Sequence, residues 1–327
     1  MKKPIVVLTG PTAVGKTELS IQLAKAIGGE IISADSMQVY KYMDVGSAKI
    51  TPEEMDGVRH YLVDELEPFD EFHVVKFQEY AQKYLNEIYA HGKIPIIAGG
   101  TGFYIQALLN DIDFTEQESD SAYRKELEAL AEEHGNQYLH DRLKEVDPES
   151  AEAIHPNNRK RVIRALEFYQ ETGRKISEHN AKEQMRTSPY NFAYFVLNDE
   201  RSHLYKRIDA RVDKMIEDGL EAEVRRLKEM GCTKDMVAMQ GIGYKEMLSY
   251  LDGGYSLEEA VYIIKRETRH FAKRQITWFK RERDVIWLNK NEFDYKNEAI
   301  LAYMIKILKE KAIISLSLIH ISEPTRP

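Results

Sequence analysis

Eight residues near the amino terminus, Gly10-Pro11-Thr12-Ala13-Val14-Gly15-Lys16-Thr17, have the spacing of a phosphate-binding loop. Apolar residues 5–9 precede them and a helical pattern follows, which predicts a strand, a loop and a helix. Glycine at 10 and 15 lets backbone N–H groups turn towards an anion, and the helix start adds more. Lys16 can place a charge on the terminal phosphate, and the Thr17 hydroxyl can bind Mg²⁺. The motif predicts a polyphosphate or pyrophosphate site and leaves open whether the ligand is ATP.

Two further loops are expected to lie beside the phosphate loop. The strand-like segments 30–34 and 94–98 end at Asp35-Ser36-Met37-Gln38 and at Gly99-Gly100-Thr101-Gly102. Strands that alternate with helices form a parallel sheet with helices on both faces, and ligands of such sheets bind at the carboxyl ends of the strands. The sequence therefore predicts an α/β phosphate-loop fold in which the three loops converge on one site.

Asp35 is the only acidic residue that the pattern places at a strand end near the phosphate loop. Phosphate-loop hydrolases and kinases hold Mg²⁺ with an acidic residue after a second apolar strand, whereas the segment 94–98 is followed by glycine. This difference favours a diphosphate over a nucleoside triphosphate as the ligand. From the residues alone, Asp35 could be a general base, a metal partner or a helix cap.

Length and composition limit the class of protein. The chain has 327 residues with 43% hydrophobic content and one cysteine, Cys232, which excludes an internal disulfide and a cysteine-rich zinc site. Its apolar runs are shorter than the roughly 18 residues that a membrane span needs, so a cytoplasmic location is expected. The alternation of strands and helices stops between 116 and 189. We predict a core of 1–115 and 190–312, a helical insertion at 116–189, and an artefactual tail at 313–327.

The distribution of charge predicts a basic surface despite a net charge of −8. Residues 116–152 carry twelve acidic and four basic side chains, which matches the whole excess. Residues 157–175 carry six basic and two acidic side chains, and residues 256–283 carry eight basic and four acidic ones. Segregation of this kind is compatible with a nucleic-acid partner.

Seven segments of the chain resemble those of the bacterial tRNA dimethylallyltransferases. They are GPTAVGKT (10–17), SADSMQVY (33–40), AGGTGFY (98–104), HPNNRKRVIRALE (155–167), RIDARVDKMIEDGLEAEV (207–224), MQGIGYKE (239–246) and KRQITW (273–278). The resemblance covers about 1–312 in the right order. It implies a transferase that moves the dimethylallyl group of dimethylallyl diphosphate to N6 of adenosine 37 in tRNA and releases diphosphate. It further implies Mg²⁺ as cofactor, the tRNA anticodon stem-loop as partner and tRNA binding by the insertion at 116–189. We also expect no membrane partner and a monomeric enzyme.

The same resemblance implies roles for individual residues. Asp35 is expected to be the catalytic base, Thr101 to contact the amine and the diphosphate, and Arg211 to hold the pyrophosphate. Residues 10–17 are expected to bind the diphosphate, with Thr17 at the metal. The expected tRNA contacts are Asp35, Ser36, Met37, Gln38, Thr101, Arg124, Asn157, Asn158, Arg161, Arg164, Arg269, Lys273, Arg274, Gln275 and Trp278. The residues themselves also allow a plainer interpretation, in which the charged helices are solvated and Trp278 is core.

Three alternative functions remain. An isopentenyltransferase acting on free adenine nucleotides would not need the two basic helical segments. A phosphate-loop kinase is disfavoured because no carboxylate follows residues 94–98. A non-enzymatic nucleic-acid-binding ATPase predicts ATP turnover that RNA stimulates.

Overall fold

The computed structural model describes residues 2–112, 122–184 and 186–315. Its described strands form one six-stranded parallel sheet with the order β3-β2-β4-β1-β5-β6. The strands are β1 (Lys3–Thr9), β2 (Gly29–Ser33), β3 (His60–Tyr61), β4 (Ile94–Gly99), β5 (Tyr190–Asn198) and β6 (Val285–Asn289). The α/β class with a parallel sheet is confirmed.

Helices connect and follow these strands. They are α1 (Lys16–Ile27), α2 (Pro52–Met55), α3 (Val74–Ala90), α4 (Gly102–Leu109), α5 (Ala122–His134), α6 (Asn136–Val146), α7 (Pro148–Ala153), α8 (Arg159–Thr172), α9 (Ile176–Gln184), α10 (Arg201–Glu217), α11 (Leu220–Glu229), α12 (Tyr244–Leu251), α13 (Leu257–Phe279) and α14 (Asn297–Glu310). The segments Thr51-Pro52-Glu53-Glu54 and Ser256-Leu257-Glu258-Glu259 have the sequence pattern of a capping box, and both boxes form, before α2 and before α13. In the part of the chain that is described, no helix has the length and apolar character to cross a membrane.

The sheet is covered on both faces, as the apolar character of β1 requires. Ile5 and Val7 belong to one buried cluster, which includes residues of α3, α4, α11 and α12. Val6 and Leu8 belong to a second cluster, which includes residues of α1 and α14. All four side chains are fully buried because successive residues of a strand point to opposite faces, and both faces carry helices.

The described chain divides into two compact units. One unit contains the residues up to Leu109 and those from Pro189 onwards, and therefore the whole sheet. The other, Asn110–Ser188, is helical and has its own apolar core of residues such as Leu127, Leu139 and Leu166. Residues 113–121 and 185, which the sequence assigned to the core and to the insertion, lie outside the described residues.

Two elements differ from what local pattern predicts. Apolar residues recur at helical spacing over 204–230 and predict one helix, but the chain forms two, α10 and α11, because Gly219 adopts a left-handed conformation with φ 97°. The two-residue strand β3 carried no recognisable pattern, since it is short and lies at the sheet edge. At the other end of the chain, Ile313 and Ile314 are buried in the second cluster, whereas 316–327 of the predicted tail lie outside the described residues.

Candidate active site

A cavity of about 110 Å³ lies at the carboxyl ends of the central strands. Strand register brings these ends together, since Thr9 pairs with Gly99 and Ser33 pairs with Ala98. The lining residues are Thr12, Lys16, Thr17, Ser20, Ile31, Ser33, Asp35, Gln38, Ala48, Ile50, His60, Ala98, Gly99, Gly100, Arg211, Phe271 and Gln275. The expected convergence of three loops on one site is confirmed, because each of them contributes to this lining.

The phosphate loop has the backbone geometry that an anion site requires. Gly15 is the N-cap of α1 and has φ 101°, a conformation that favours glycine. From outside the loop, Arg207 Nε donates to the carbonyl of Ala13 at 2.7 Å and Lys290 Nζ donates to that of Val14 at 3.4 Å. Because a peptide carbonyl and the following N–H point in opposite directions, these contacts orient the next N–H groups away from Arg207 and Lys290.

Lys16 and Arg211 place two positive charges on the cavity. Lys16 Nζ donates to the carbonyls of Gly10 at 3.0 Å and Pro11 at 2.8 Å. Burial and the nearby Arg211 lower the pKa of Lys16 from 10.5 to about 8, against an opposing effect of Asp35. Burial also lowers the pKa of Arg211. An anion bound between these two partly desolvated cations would offset the burial and the repulsion by Arg211 that lower the pKa of Lys16.

Asp35 is the carboxylate that faces these cations. Its Oδ1 accepts hydrogen bonds from the backbone N–H groups of Met37 at 2.8 Å and Gln38 at 3.3 Å, so the side chain caps its own turn. Asp35 therefore caps a turn through one oxygen and is not a helix cap, because no helix begins in the described residues directly after it. Gln38 also lines the cavity, and its amide donates to the carbonyl of Ala48 at 3.1 Å.

Gln275 joins two of the converging loops. Its Oε1 accepts from the N–H of Thr12 at 2.9 Å, and its Nε2 donates to the carbonyl of Gly100 at 2.9 Å. The side chain is 7% exposed and lines the cavity. A buried amide with both ends bonded to backbone fixes the distance between the phosphate loop and the loop after β4.

The other predicted site residues of the sheet-containing unit do not line the cavity, and they differ in accessibility. Thr101 is half-buried just before α4, and its N–H donates to the carbonyl of Ala34 at 3.1 Å. Trp278 is half-buried, with Phe103 edge-on to it at 6.1 Å between ring centroids. On the same helix, Arg269 is paired with Asp209. Lys273 and Arg274 are exposed, and Ser36 and Met37 are half-buried beside Asp35.

The remaining predicted tRNA contacts belong to the helical unit. Asn157, Asn158, Arg161 and Arg164 are exposed at the start of α8. Arg124 is instead engaged within the unit, because its Nε and Nη2 donate to the two carboxylate oxygens of the buried Glu167, at 2.9 and 2.6 Å.

Oxygen groups predominate among the possible metal ligands of the cavity, to which His60 adds one imidazole ring. Thr17 is exposed in the first turn of α1, and both Thr17 and Asp35 line the cavity. No cluster of three histidine, cysteine or acidic side chains that could hold a metal exists in the described ranges. A hydroxyl and a carboxylate fit Mg²⁺ when phosphate oxygens and water complete its shell, because Mg²⁺ prefers hard oxygen ligands.

Sequence reasoning missed several residues of this region. Asp199 directly follows β5, which pairs with β1, so Asp35 is not the only acidic residue at a strand end near the loop. Asp199 is 7% exposed and does not line the cavity. The strand-end pattern could have found it, whereas no pattern marks the distant Lys290 and Glu223 as parts of this region.

The strand β1, the glycine loop and helix α1, together with Lys16 at the carboxyl edge of a parallel sheet, define a phosphate-loop α/β protein. The model of the IPP transferase family matches residues 38–282, and the chain belongs to that family.

Relatives of known name resemble the chain over nearly its whole length. A tRNA dimethylallyltransferase of Lachnoclostridium phytofermentans is 64% identical over 313 residues, which are 95% of this chain and 99% of the relative. A tRNA dimethylallyltransferase of Acetivibrio thermocellus is 53% identical over 296 residues, covering 90% of this chain and 95% of the relative.

Solved structures agree with this assignment. The crystal structure of the full-length tRNA isopentenylpyrophosphate transferase from Bacillus halodurans superposes with a TM-score of 0.71 at 46% identity and covers 95% of this chain and 98% of its own. A eukaryotic dimethylallyltransferase, solved while acting on tRNA, gives a TM-score of 0.81 at 31% identity, with 95% of this chain and 80% of its own covered. The fold is therefore shared across the family.

Proposed function

We propose that this chain transfers the dimethylallyl group from dimethylallyl diphosphate to N6 of adenosine 37 in tRNA and releases diphosphate. One observation carries the proposal: Lys16 and Arg211 of an anion site and the carboxylate of Asp35 line the same cavity. A leaving pyrophosphate and a proton acceptor are the two requirements of prenyl transfer to an amine. The names of the relatives, and the tRNA on which the eukaryotic one acts, support tRNA as the acceptor.

Stabilisation of the leaving group is assigned to the loop N–H groups of residues 10–17, Lys16 and Arg211. The allylic C–O bond breaks with its electron pair going to the pyrophosphate, so negative charge grows between these groups. Preorganised donors at a site of developing charge often supply the largest catalytic contribution. Thr17 would hold Mg²⁺ at the diphosphate, where the ion would neutralise charge on the leaving group.

Activation of the acceptor is assigned to Asp35. The exocyclic amine of adenine is a poor nucleophile, and its nitrogen must lose a proton as the C–N bond forms. The Asp35 carboxylate takes that proton while its Oδ1 remains bonded to the turn. Thr101 contacts the reacting amine and the diphosphate, and Gln38 contacts the edge of a neighbouring base. The base must leave its stack to reach this cavity.

Binding of the anticodon stem-loop is assigned to exposed basic and polar side chains of α8 and α13. They are Asn157, Asn158, Arg161 and Arg164 on one helix and Lys273 and Arg274 on the other. Such contacts position the nucleic acid through its phosphates. We place the reaction in the cytoplasm, where tRNA is available, and expect the enzyme to be a monomer.

Labelled substrates test the function directly. Incubation with dimethylallyl diphosphate labelled in the prenyl group is expected to move label into tRNA but not into free AMP, ADP or ATP. With γ-labelled ATP, neither tRNA-stimulated hydrolysis nor phosphate transfer is expected. Label in free adenine nucleotides, or RNA-stimulated ATP turnover without prenyl transfer, would contradict the proposal.

Diphosphate affinity should fall above pH 8. The terminal phosphate is already ionised there, whereas Lys16, with its pKa near 8, loses its charge. Binding then requires uptake of one proton, so Kd should rise up to about tenfold per pH unit. Calorimetry with dimethylallyl diphosphate in buffers of different ionisation enthalpy measures that uptake. Lys16→Met should bind more weakly and without proton uptake, and uptake by this variant would exclude Lys16 as its source.

The tRNA assignment predicts a change in salt dependence. Arg161→Ala and Lys273→Ala should each weaken tRNA binding and reduce the slope of log K against log[salt] by about one unit. The exposed Lys144 on α6 and Lys306 on α14 provide matched controls, whose alanine variants should leave the slope unchanged. Filter binding at several salt concentrations makes the measurement. Unchanged affinity and slope for Arg161→Ala and Lys273→Ala would show that neither residue contacts tRNA and that both belong to ordinary solvated surface.

A further inference from the structure

A buried carboxylate outside the cavity holds one of the loops that line it. Glu223 on α11 is 5% exposed. Its Oε2 accepts from the backbone N–H groups of Asp44 and Val45, both at 2.8 Å, and its Oε1 accepts from that of Gly46 at 3.0 Å. Three consecutive N–H groups that converge on one carboxylate fix the local backbone as a bound anion would.

Tyr244 completes this arrangement from α12. Its hydroxyl donates to Glu223 Oε1 at 2.9 Å, and its ring is fully buried against Gly46. A Cβ at position 46 would lie 2.5 Å from the ring carbon Cζ, so the ring and the loop are in direct contact. The MQGIGYKE motif at 239–246 thereby packs on the loop through Tyr244. The same motif contacts the Asp35 turn, since Gly241 lies against Met37.

The opposite side of this loop faces the active-site residues. Arg211 Nη2 donates to the carbonyl of Ser47 at 3.4 Å, and Gln38 Nε2 donates to that of Ala48 at 3.1 Å. Ala48 and Ile50 line the cavity themselves. The segment 44–48 therefore connects Glu223 to the two side chains that the proposed function assigns to pyrophosphate and to a tRNA base.

We propose that Glu223 and Tyr244 are positioning residues for the transfer reaction, which hold the 44–48 segment so that its carbonyls fix Arg211 and Gln38. The proposal rests on the proposed function for its kinetic consequences, and on the hydrogen bonds alone for the order of the segment. Neither residue lines the cavity, so each acts through the loop. Displacement of a positioning group by about 1 Å can cost on the order of 100-fold in rate.

Hydrogen exchange tests the order of the segment. Glu223→Gln keeps the shape of the side chain but cannot accept four hydrogen bonds, because one carboxylate oxygen becomes an NH₂ donor. Tyr244→Phe removes a single hydroxyl, and it replaces Glu223→Gln as the test variant if that protein folds poorly. Both should speed exchange of a peptide spanning 43–48 at least tenfold, with no change in peptides of β1 and β4. The matched control is Glu221→Gln on the same helix, a half-buried residue paired with Arg225, which should exchange as the parent protein does.

A double-mutant cycle tests the path to Arg211. Glu223→Gln should lower kcat by about tenfold in the parent protein, but by less than about twofold when combined with Arg211→Lys, because coupled residues are not additive. Purely structural damage would give additive losses. Unchanged exchange at 43–48 in both variants, or additive losses in the cycle, would overturn the proposal. If the parent protein lacks transferase activity but both variants still exchange faster at 43–48, the proposed function is refuted. The role of Glu223 in holding the segment would remain supported.

Discussion

Asp35→Asn is expected to lower the rate of prenyl transfer at saturating substrates by about 10²–10⁴-fold, the usual contribution of a positioned general base. The asparagine Oδ1 can still accept from the N–H groups of Met37 and Gln38, so the turn should survive. Only the basicity and the charge are lost. Single-turnover transfer of labelled dimethylallyl groups measures the rate, and filter binding should show tRNA affinity little changed.

This substitution separates the three roles that the residues alone left open for Asp35. If Asp35 only caps its turn, Asp35→Asn should transfer at close to the parent rate, because asparagine retains the capping hydrogen bonds. If Asp35 is a metal partner, the variant should lose transfer rate, and a large excess of Mg²⁺ should restore that rate. The surface variant Asp56→Asn, at a residue paired with Lys25 and 67% exposed, controls for a general effect of lost charge and should behave normally. Near-normal turnover of Asp35→Asn would end its assignment as the base.

Arg211→Ala is expected to lower kcat by roughly 10²–10³-fold, as the loss of one preorganised donor to developing charge typically does. The guanidinium lies beside Lys16 on the cavity, and its contact with the pyrophosphate should strengthen as the allylic bond breaks. The loss should therefore appear in kcat more than in KM for the diphosphate. Arg211→Lys should recover part of the rate, because an ammonium carries the charge without the bidentate geometry.

Lys214 provides the matched comparison on the same helix. It pairs with Asp218, its side chain is 72% exposed, and Lys214→Ala should keep normal kcat and KM. If Arg211→Ala and Arg211→Lys retain the parent kcat in folded protein, Arg211 does not bind the leaving group.

The sequence determined the parts of this protein that depend on local pattern. A strand, a glycine loop and a helix over residues 3–27 follow from apolar runs and the positions of Gly10 and Gly15. The parallel sheet follows from alternating strands and helices, and it placed the loops after β1, β2 and β4 at one edge. Motifs alone were sufficient to identify the family to which the chain belongs. The break between α10 and α11 was missed because apolar spacing continued across Gly219, and its left-handed conformation decided the outcome.

Only the tertiary structure decided which distant side chains support the site. Gln275 lies 263 positions after Thr12 and carries no local signal for its bonds to Thr12 and Gly100. Glu223 appears in the sequence as one acidic residue of an amphipathic helix, and its three backbone partners lie at 44–46. Hydrogen bonds between remote segments depend on how helices pack against the sheet, and local pattern does not encode that packing. The types of side chain at the site can therefore be predicted from the sequence, whereas packing determines the geometry in which these side chains are held.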